Sequence, residues 1–307
     1  MGAAFVIPER VACFALEARG AAGADWLARL PALVDACAAR WGLALDAPFA
    51  GLSINYVRPC HRAGGAAVLK ICFPDAEFAT EVEALCLFDS RGAVRLLEAD
   101  PAAGAMLLER LQPGTPLERV TDDRQATSIA VDVMRRLWQP AAAEHAFPTV
   151  ERWVLAMRTR GPQVLARDPD FPRTWVERAL GLYDELSAAP GTAVLLHGDL
   201  HHANILTGRD GAWLAIDPKG VVGPPIWETG PLLINALPED LEPAATHRVL
   251  AQRTEQLAAE LGVDHAELLA WGVVRAVLSA YWSVEDHGGG WQETFKVAEI
   301  LDTIHPV

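Results

Sequence analysis

Apolar positions fall at two different spacings along this chain. Residues 23–42, GADWLARLPALVDACAARWG, place Trp26, Leu27, Leu30, Leu33, Val34, Cys37 and Trp41 on a helical stripe. Residues 50–73, AGLSINYVRPCHRAGGAAVLKICF, read as two strands joined by a turn at Ala63-Gly64-Gly65. A helix is predicted over 76–88, with Phe78, Val82, Leu85 and Phe88 along one side, followed by strands in AVRLLEAD and AGAMLLERL. The Pro/Gly break QPGTPL at 112–117 then separates two kinds of pattern. Beyond it, residues 123–138 carry Ala126, Ile129, Ala130, Val133 and Leu137 on an amphipathic helix, and 174–188 repeat that pattern. One strand pair, ILTGRDGAWLAID, turns at Gly208–Gly211, and the tail from about 243 is helical. The expected fold is α+β, with an antiparallel-sheet lobe carrying a helix over 1–111 and a mainly helical lobe over 112–307.

At 307 residues, 51% hydrophobic and 21% charged, the chain can bury a large core. No apolar run approaches the ~20 residues of a membrane helix, and the start MGAAFVIPER lacks the pattern of a signal peptide. Five cysteines without a C-x-x-C pair suggest reduced thiols and a cytoplasmic setting. A net charge of −14 argues against nucleic acid and suits a cationic small molecule, although acidity for solubility alone explains it equally well.

Four pieces then carry candidate chemistry. Lys70 sits in an apolar strand, either as a cation for phosphates or as an edge-strand guard. Glu81 and Glu83 compete to hold it. Glu81 lies next to the helix's apolar stripe and is preferred. The stretch LLHGDLHHANIL spaces His197, Asp199 and Asn204 as H-x-D-x-x-x-x-N. In it Asp199 is positioned as a proton acceptor, Asn204 as an oxygen ligand for Mg2+, and His197 as a brace. Asp217 ends the apolar strand LAID, and the 208–211 turn brings it back towards Asn204. A zinc reading of His197, His201 and His202 lacks both an H-E-x-x-H motif and a nearby cysteine.

At these residues the sequence resembles the aminoglycoside phosphotransferase family. VLLHGDLHHANIL…WLAIDPKGVVG, MLLERLQPG and YWSVEDHG look like its streptomycin 6-kinase and hydroxyurea-kinase branch. The resemblance implies a protein-kinase-like bilobal fold and ATP-dependent phosphorylation of a hydroxyl. By it, Asp199 is the catalytic base, Asn204 and Asp217 hold Mg2+, and Lys70 paired with Glu81 contacts the ATP phosphates. The backbone from Glu109 to Leu111 meets adenine, and the loop with Ser53 and Asn55 covers the phosphates, although GLSIN has one glycine and no G-x-G-x-x-G. A cationic, hydroxyl-rich acceptor such as streptomycin wants carboxylates and aromatic faces. Glu228, Glu285, Asp286 and Trp282 are the candidates, with Trp227 and Trp291 nearby and Glu239 and Asp240 read as loop charges. Lys219 is either a phosphate contact or solvated. A metabolic kinase for a sugar, amino alcohol or hydroxyurea, and an inactive nucleotide-binding module, are the competing readings. A protein kinase is disfavoured because no A-P-E segment follows Asp217.

Overall fold

A computed structural model describes residues 5–49, 54–188, 191–235 and 242–307. The chain divides into two compact units, Met1–Gly114 and Thr115–Val307, a division that falls inside the 112–117 break.

The first unit opens with α1 (Glu9–Trp41), which extends well before the predicted residue 23. It bends at Gly20, whose φ of 52° and ψ of −125° suit a residue without a Cβ. Strands β1 (Ala44–Leu45), β2 (Tyr56–Arg62) and β3 (Gly65–Ile71) precede α2 (Ala76–Phe88); β4 (Leu96–Asp100) and β5 (Ala105–Glu109) follow it. The five strands form an antiparallel sheet in the order β1-β2-β3-β5-β4. The stripe Trp26, Leu30 and Val34 of α1 packs into one buried cluster with Tyr56, Cys60, Leu69, Ile71 and Leu107, and burial of such side chains stabilises a fold by roughly 1.5–3 kcal/mol each. Asp75 caps α2, accepting from the N–H groups of Glu77 and Phe78 at 3.0 and 3.1 Å.

The second unit contains α3 (Asp123–Leu137), β6 (Gln139–Pro140), α4 (Val150–Val164), α5 (Arg173–Ser187), β7 (Val194–Leu196), β8 (Ile205–Thr207), β9 (Trp213–Ala215) and β10 (Val221–Gly223), then α6 (Gly230–Ile234), α7 (Pro243–Leu261), α8 (His265–His287) and α9 (Gln292–Thr303). Helix α8 is the spine, since α4, α5, α6, α7 and α9 all pack on it. Its Leu268, Val273, Val274, Val277, Leu278, Tyr281 and Val284 are buried, and so, unusually, is Arg275. A helix apolar on nearly every side belongs in a core. Among the described residues no helix is long and apolar enough to cross a membrane.

Candidate active site

Two short ladders in the second unit determine where its polar segments meet. Strand β7 pairs antiparallel with β10, Leu196 opposite Val221, and β8 pairs with β9, Ile205 opposite Ala215. Residues 197–204 link β7 to β8, and residues 216–220 link β9 to β10. Both ends of the two links are therefore paired, and the links must run side by side. Hydrogen bonds complete the match. Ile216 N–H donates to Asn204 O at 2.9 Å, and the N–H groups of Lys219 and Gly220 donate to His197 O at 2.8 and 3.2 Å. This sets the segments that carry Asp199, Asn204 and Asp217 side by side, with Asp217 next to the residue that bonds Asn204, as the 208–211 turn predicts for that pair.

His197 is fully buried and pins both links. Its Nδ1 lies 3.2 Å from the N–H of Asp199, which can only donate, so the ring's proton is on Nε2, 2.8 Å from Ile216 O. Burial pushes its pKa down to about 4, keeping the imidazole neutral. His201 Nδ1 accepts from Ala203 N–H at 3.2 Å. These ring nitrogens serve the loop, and among the described residues no group of three or more His, Cys, Asp or Glu side chains could hold a metal ion.

Asp199 is part-exposed, with 29% of its side chain accessible, and Lys219 Nζ lies 4.0 Å from its Oδ2. Burial alone would raise its carboxyl, but Lys219 foremost, then His201, Arg275 and His197, hold it below the ordinary carboxylate range. Asn204 Nδ2 donates to Asp199 O at 3.0 Å, so the amide's oxygen is the atom left for a hard cation. Asp217 is exposed and has a φ of 59°, a left-handed conformation that Asp tolerates better than most residues. An amide oxygen and a solvent-facing carboxylate on adjacent links fit an Mg2+ ion that takes its other ligands from phosphate.

Glu228 corrects the sequence reading. It was expected to face a substrate, yet it is completely buried. Its Oε2 accepts from His197 N–H at 2.6 Å and its Oε1 from Gly198 N–H at 2.9 Å. It is a strut under the loop, with no oxygen presented to a ligand. Burial pushes its pKa up to about 7, against the two N–H groups that favour the charged form. Gly198 is required above this strut. Its φ is +86°, and a Cβ there would meet Val221 Cγ1 at 2.9 Å, Lys219 Cβ at 3.4 Å and Trp153 at 3.5 Å.

The other acceptor candidates scatter. Trp282 is half-buried on α8, 5.3 Å from Trp153 in an edge-on contact, with Lys219 Nζ 6.0 Å and the Arg275 guanidinium 4.9 Å from its ring centre. Glu285, one turn on, pairs with Arg160 at 2.8 Å, and Asp286 is exposed. Trp227 and Trp291 belong to the core. Glu239, Asp240 and Ser53 lie outside the described residues.

Sequence reasoning missed Arg275. It is only 4% exposed, its Nε and Nη1 have no hydrogen-bond partner, and the charges of Asp199 and Glu228 both act on it. The signal was available, because WGVVRAVLSAYW sets one Arg inside an apolar helical run, as AAVLKIC sets one Lys inside an apolar strand.

In the first unit, Lys70 is 2% exposed on β3, a central strand, so it is no edge guard. Its Nζ pairs with Glu81 Oε1 at 2.5 Å, while Glu83 is exposed. Asn55 is half-buried just before β2. Glu109 ends β5; its N–H donates to Arg95 O at 3.0 Å, so any adenine contact in this segment falls to the Glu109 carbonyl or to the backbone of Arg110 and Leu111.

An antiparallel-sheet unit followed by a mainly helical unit that carries the H-x-D-x-x-x-x-N loop defines the class of molecule at hand, a protein-kinase-like fold. The family model described as aminoglycoside/hydroxyurea antibiotic resistance kinase matches residues 40–288, and the chain belongs to that family. It is 35% identical to a hydroxyurea phosphotransferase of Kitasatospora aureofaciens, with 98% of this chain and 87% of that protein aligned. It is 33% identical to a streptomycin 6-kinase of Streptomyces glaucescens, with 91% of each chain aligned. Among solved structures, a choline kinase from Streptococcus pneumoniae superposes with a TM-score of 0.67 at 12% identity, over 90% of this chain and 99% of that one. The aminoglycoside phosphotransferase APH(4)-Ia gives 0.63 at 14%, over 89% and 97%. At such identities these two establish the fold.

Proposed function

We propose that this protein is an ATP-dependent O-phosphotransferase that phosphorylates a hydroxyl of a small antibiotic of the streptomycin type. The observation that carries the reading is the convergence of Asp199, Asn204 and Asp217 on two links zipped together at both ends. The 31–35% identity to streptomycin 6-kinases and a hydroxyurea phosphotransferase supports it. In this reading Asp199 takes the proton of the acceptor hydroxyl, whose oxygen lone pair forms the new bond to the γ-phosphorus. The bond from that phosphorus to the bridging oxygen breaks, and its electron pair leaves on ADP. Asn204 and Asp217 would hold Mg2+, which when bound neutralises charge on the phosphates. Lys70, fixed by Glu81, would contact the phosphates, and the backbone from Glu109 to Leu111 would meet adenine. Ser53 and Asn55 would cover the triphosphate. Trp282, Glu285 and Asp286 would border the acceptor, which is a cationic, hydroxyl-rich small molecule and neither a nucleic acid nor a membrane lipid. The compartment would be the cytoplasm, where ATP is at hand.

Hydroxyurea or another small neutral acceptor is the second reading. Glu228 is withdrawn under the loop and Glu285 is paired, while Lys219 and Arg275 lie close to Asp199. That neighbourhood suits a neutral acceptor better than a polycation. Acceptor-dependent ADP release, measured with streptomycin, other aminoglycosides, hydroxyurea, sugars and amino alcohols, separates the two. ADP release that no acceptor increases would reject the transferase reading.

A further inference from the structure

We infer that Lys219 is a catalytic residue whose ammonium contacts a non-bridging oxygen of the phosphoryl group during its transfer. The assignment rests on the phosphotransferase reading and extends it to a residue outside the H-x-D-x-x-x-x-N loop.

Three observations place the ammonium there. The Lys219 backbone is fixed, because its N–H donates to His197 O at 2.8 Å and its Cβ packs over Gly198, where no Cβ intervenes. The side chain then runs past Asp199, with Nζ 4.0 Å from Oδ2. That is beyond the ~2.7–2.9 Å of a charge-assisted hydrogen bond, so the ammonium neighbours the carboxylate without capping it. Its far end lies beside Trp282, with Nζ 6.0 Å from the ring centre, a cation–π spacing that limits where the chain can wander.

The chemistry follows from proximity. A hydroxyl handing its proton to Asp199 must sit about 2.6–3.2 Å from that carboxylate. The phosphorus it attacks is one bond further on. The oxygens of the moving phosphoryl group therefore pass within reach of a cation 4.0 Å from the same carboxylate. The loop from Asp199 to Asn204 contains no Lys or Arg, so it supplies no such cation itself. A positive charge held where phosphoryl charge develops lowers the barrier to transfer.

Because the phosphoryl group is common to every acceptor, water included, the test compares two reactions. Transfer to the best acceptor and acceptor-free ATP hydrolysis are measured for wild type, K219M and K219R, together with nucleotide Kd and acceptor KM. In K219M both kcat values should fall on the order of 10²-fold by a common factor, with Kd and KM within about twofold. K219R, which keeps the charge, should recover at least a tenth of wild-type kcat. A rise in acceptor KM with hydrolysis unchanged would make Lys219 an acceptor contact and overturn the assignment, as would no change in any constant. Melting curves guard against misfolding, and loss of kcat in both variants with lowered melting temperatures also counts against it. If wild type hydrolyses ATP but phosphorylates no acceptor, the transferase reading fails while hydrolysis still judges Lys219. If it does neither, both fall.

Discussion

Among the described residues, two lysine–carboxylate pairs, apart from the surface pair of Lys296 and Glu293 within α9, look alike on paper and behave differently. Lys70 and Glu81 are 2% and 8% exposed and touch at 2.5 Å. Lys219 and Asp199 are 39% and 29% exposed and stand 4.0 Å apart. The first pair is closed, in that each charge has a partner and neither side chain can move without leaving the other buried and uncompensated. The second is open only in that its members stand further apart and are part-exposed. A closed pair holds a strand and a helix in register, as β3 and α2 are held here. In the proposed reaction a phosphoryl group would pass beside this wider, part-exposed pair.

Four measurements press on that contrast. The largest effect is expected on the open side. Asp199→Ala should reduce transfer about 10³-fold while nucleotide affinity, followed by calorimetry, stays within a few fold. Loss of nucleotide binding instead would make the loop structural. Next, chelating Mg2+ with EDTA should abolish transfer, and Asp217→Ala should cost more than Asn204→Ala, on the order of 10²-fold against 10-fold, because a carboxylate binds the cation more strongly than an amide oxygen. Equal activity in EDTA would remove the metal from the mechanism. On the closed side, Lys70→Met should cost about 3–5 kcal/mol in chemical denaturation, since it strands a buried carboxylate, whereas Lys219→Met should cost under about 1 kcal/mol. Comparable losses would erase the distinction between the pairs.

The smallest effect is a pH dependence. His197 and His202 both have folded pKa values pushed down by burial to about 4, so their contribution to stability is present above the unfolded value near 6.5 and is lost as pH falls towards 4. Glu228, raised by burial to about 7, works oppositely: its contribution is full below about 4.5 and is lost as pH rises through 7. Two histidines against one carboxyl leave a net loss of stability on acidification between about 6.5 and 4.5. Glu228→Leu, which removes the opposing group, should steepen that slope; a slope unchanged in this variant would show that Glu228 does not titrate as its burial implies.

The chain's own pattern made much of this legible. The β2–β3 turn, the 76–88 helix and the paired strands around 208–211 were all readable from local spacing. So were Lys70 and its preferred partner, because helical geometry distinguishes Glu81 from Glu83 without any coordinates. Less was visible where elements are short. Strands β6, β7 and β10 have two or three residues each, too few for alternation to register, yet β7 and β10 clamp one end of the site. The kink at Gly20 hid the first part of α1, whose stripe is broken there.

By itself the sequence determined which residue types were available, at what spacing and in which element: a proton acceptor, an amide and a carboxylate bracketing a hairpin, and a lysine in an apolar strand. Periodicity and spacing are local, so one chain suffices to read them. Tertiary structure alone decided that Glu228 supports the loop, that Arg275 is buried within range of the charges of Asp199 and Glu228, and that Lys219 stands beside Asp199. Burial and partnership are properties of space. A carboxylate 29 residues along the chain from Asp199 is a strut or a ligand according to what the fold packs around it.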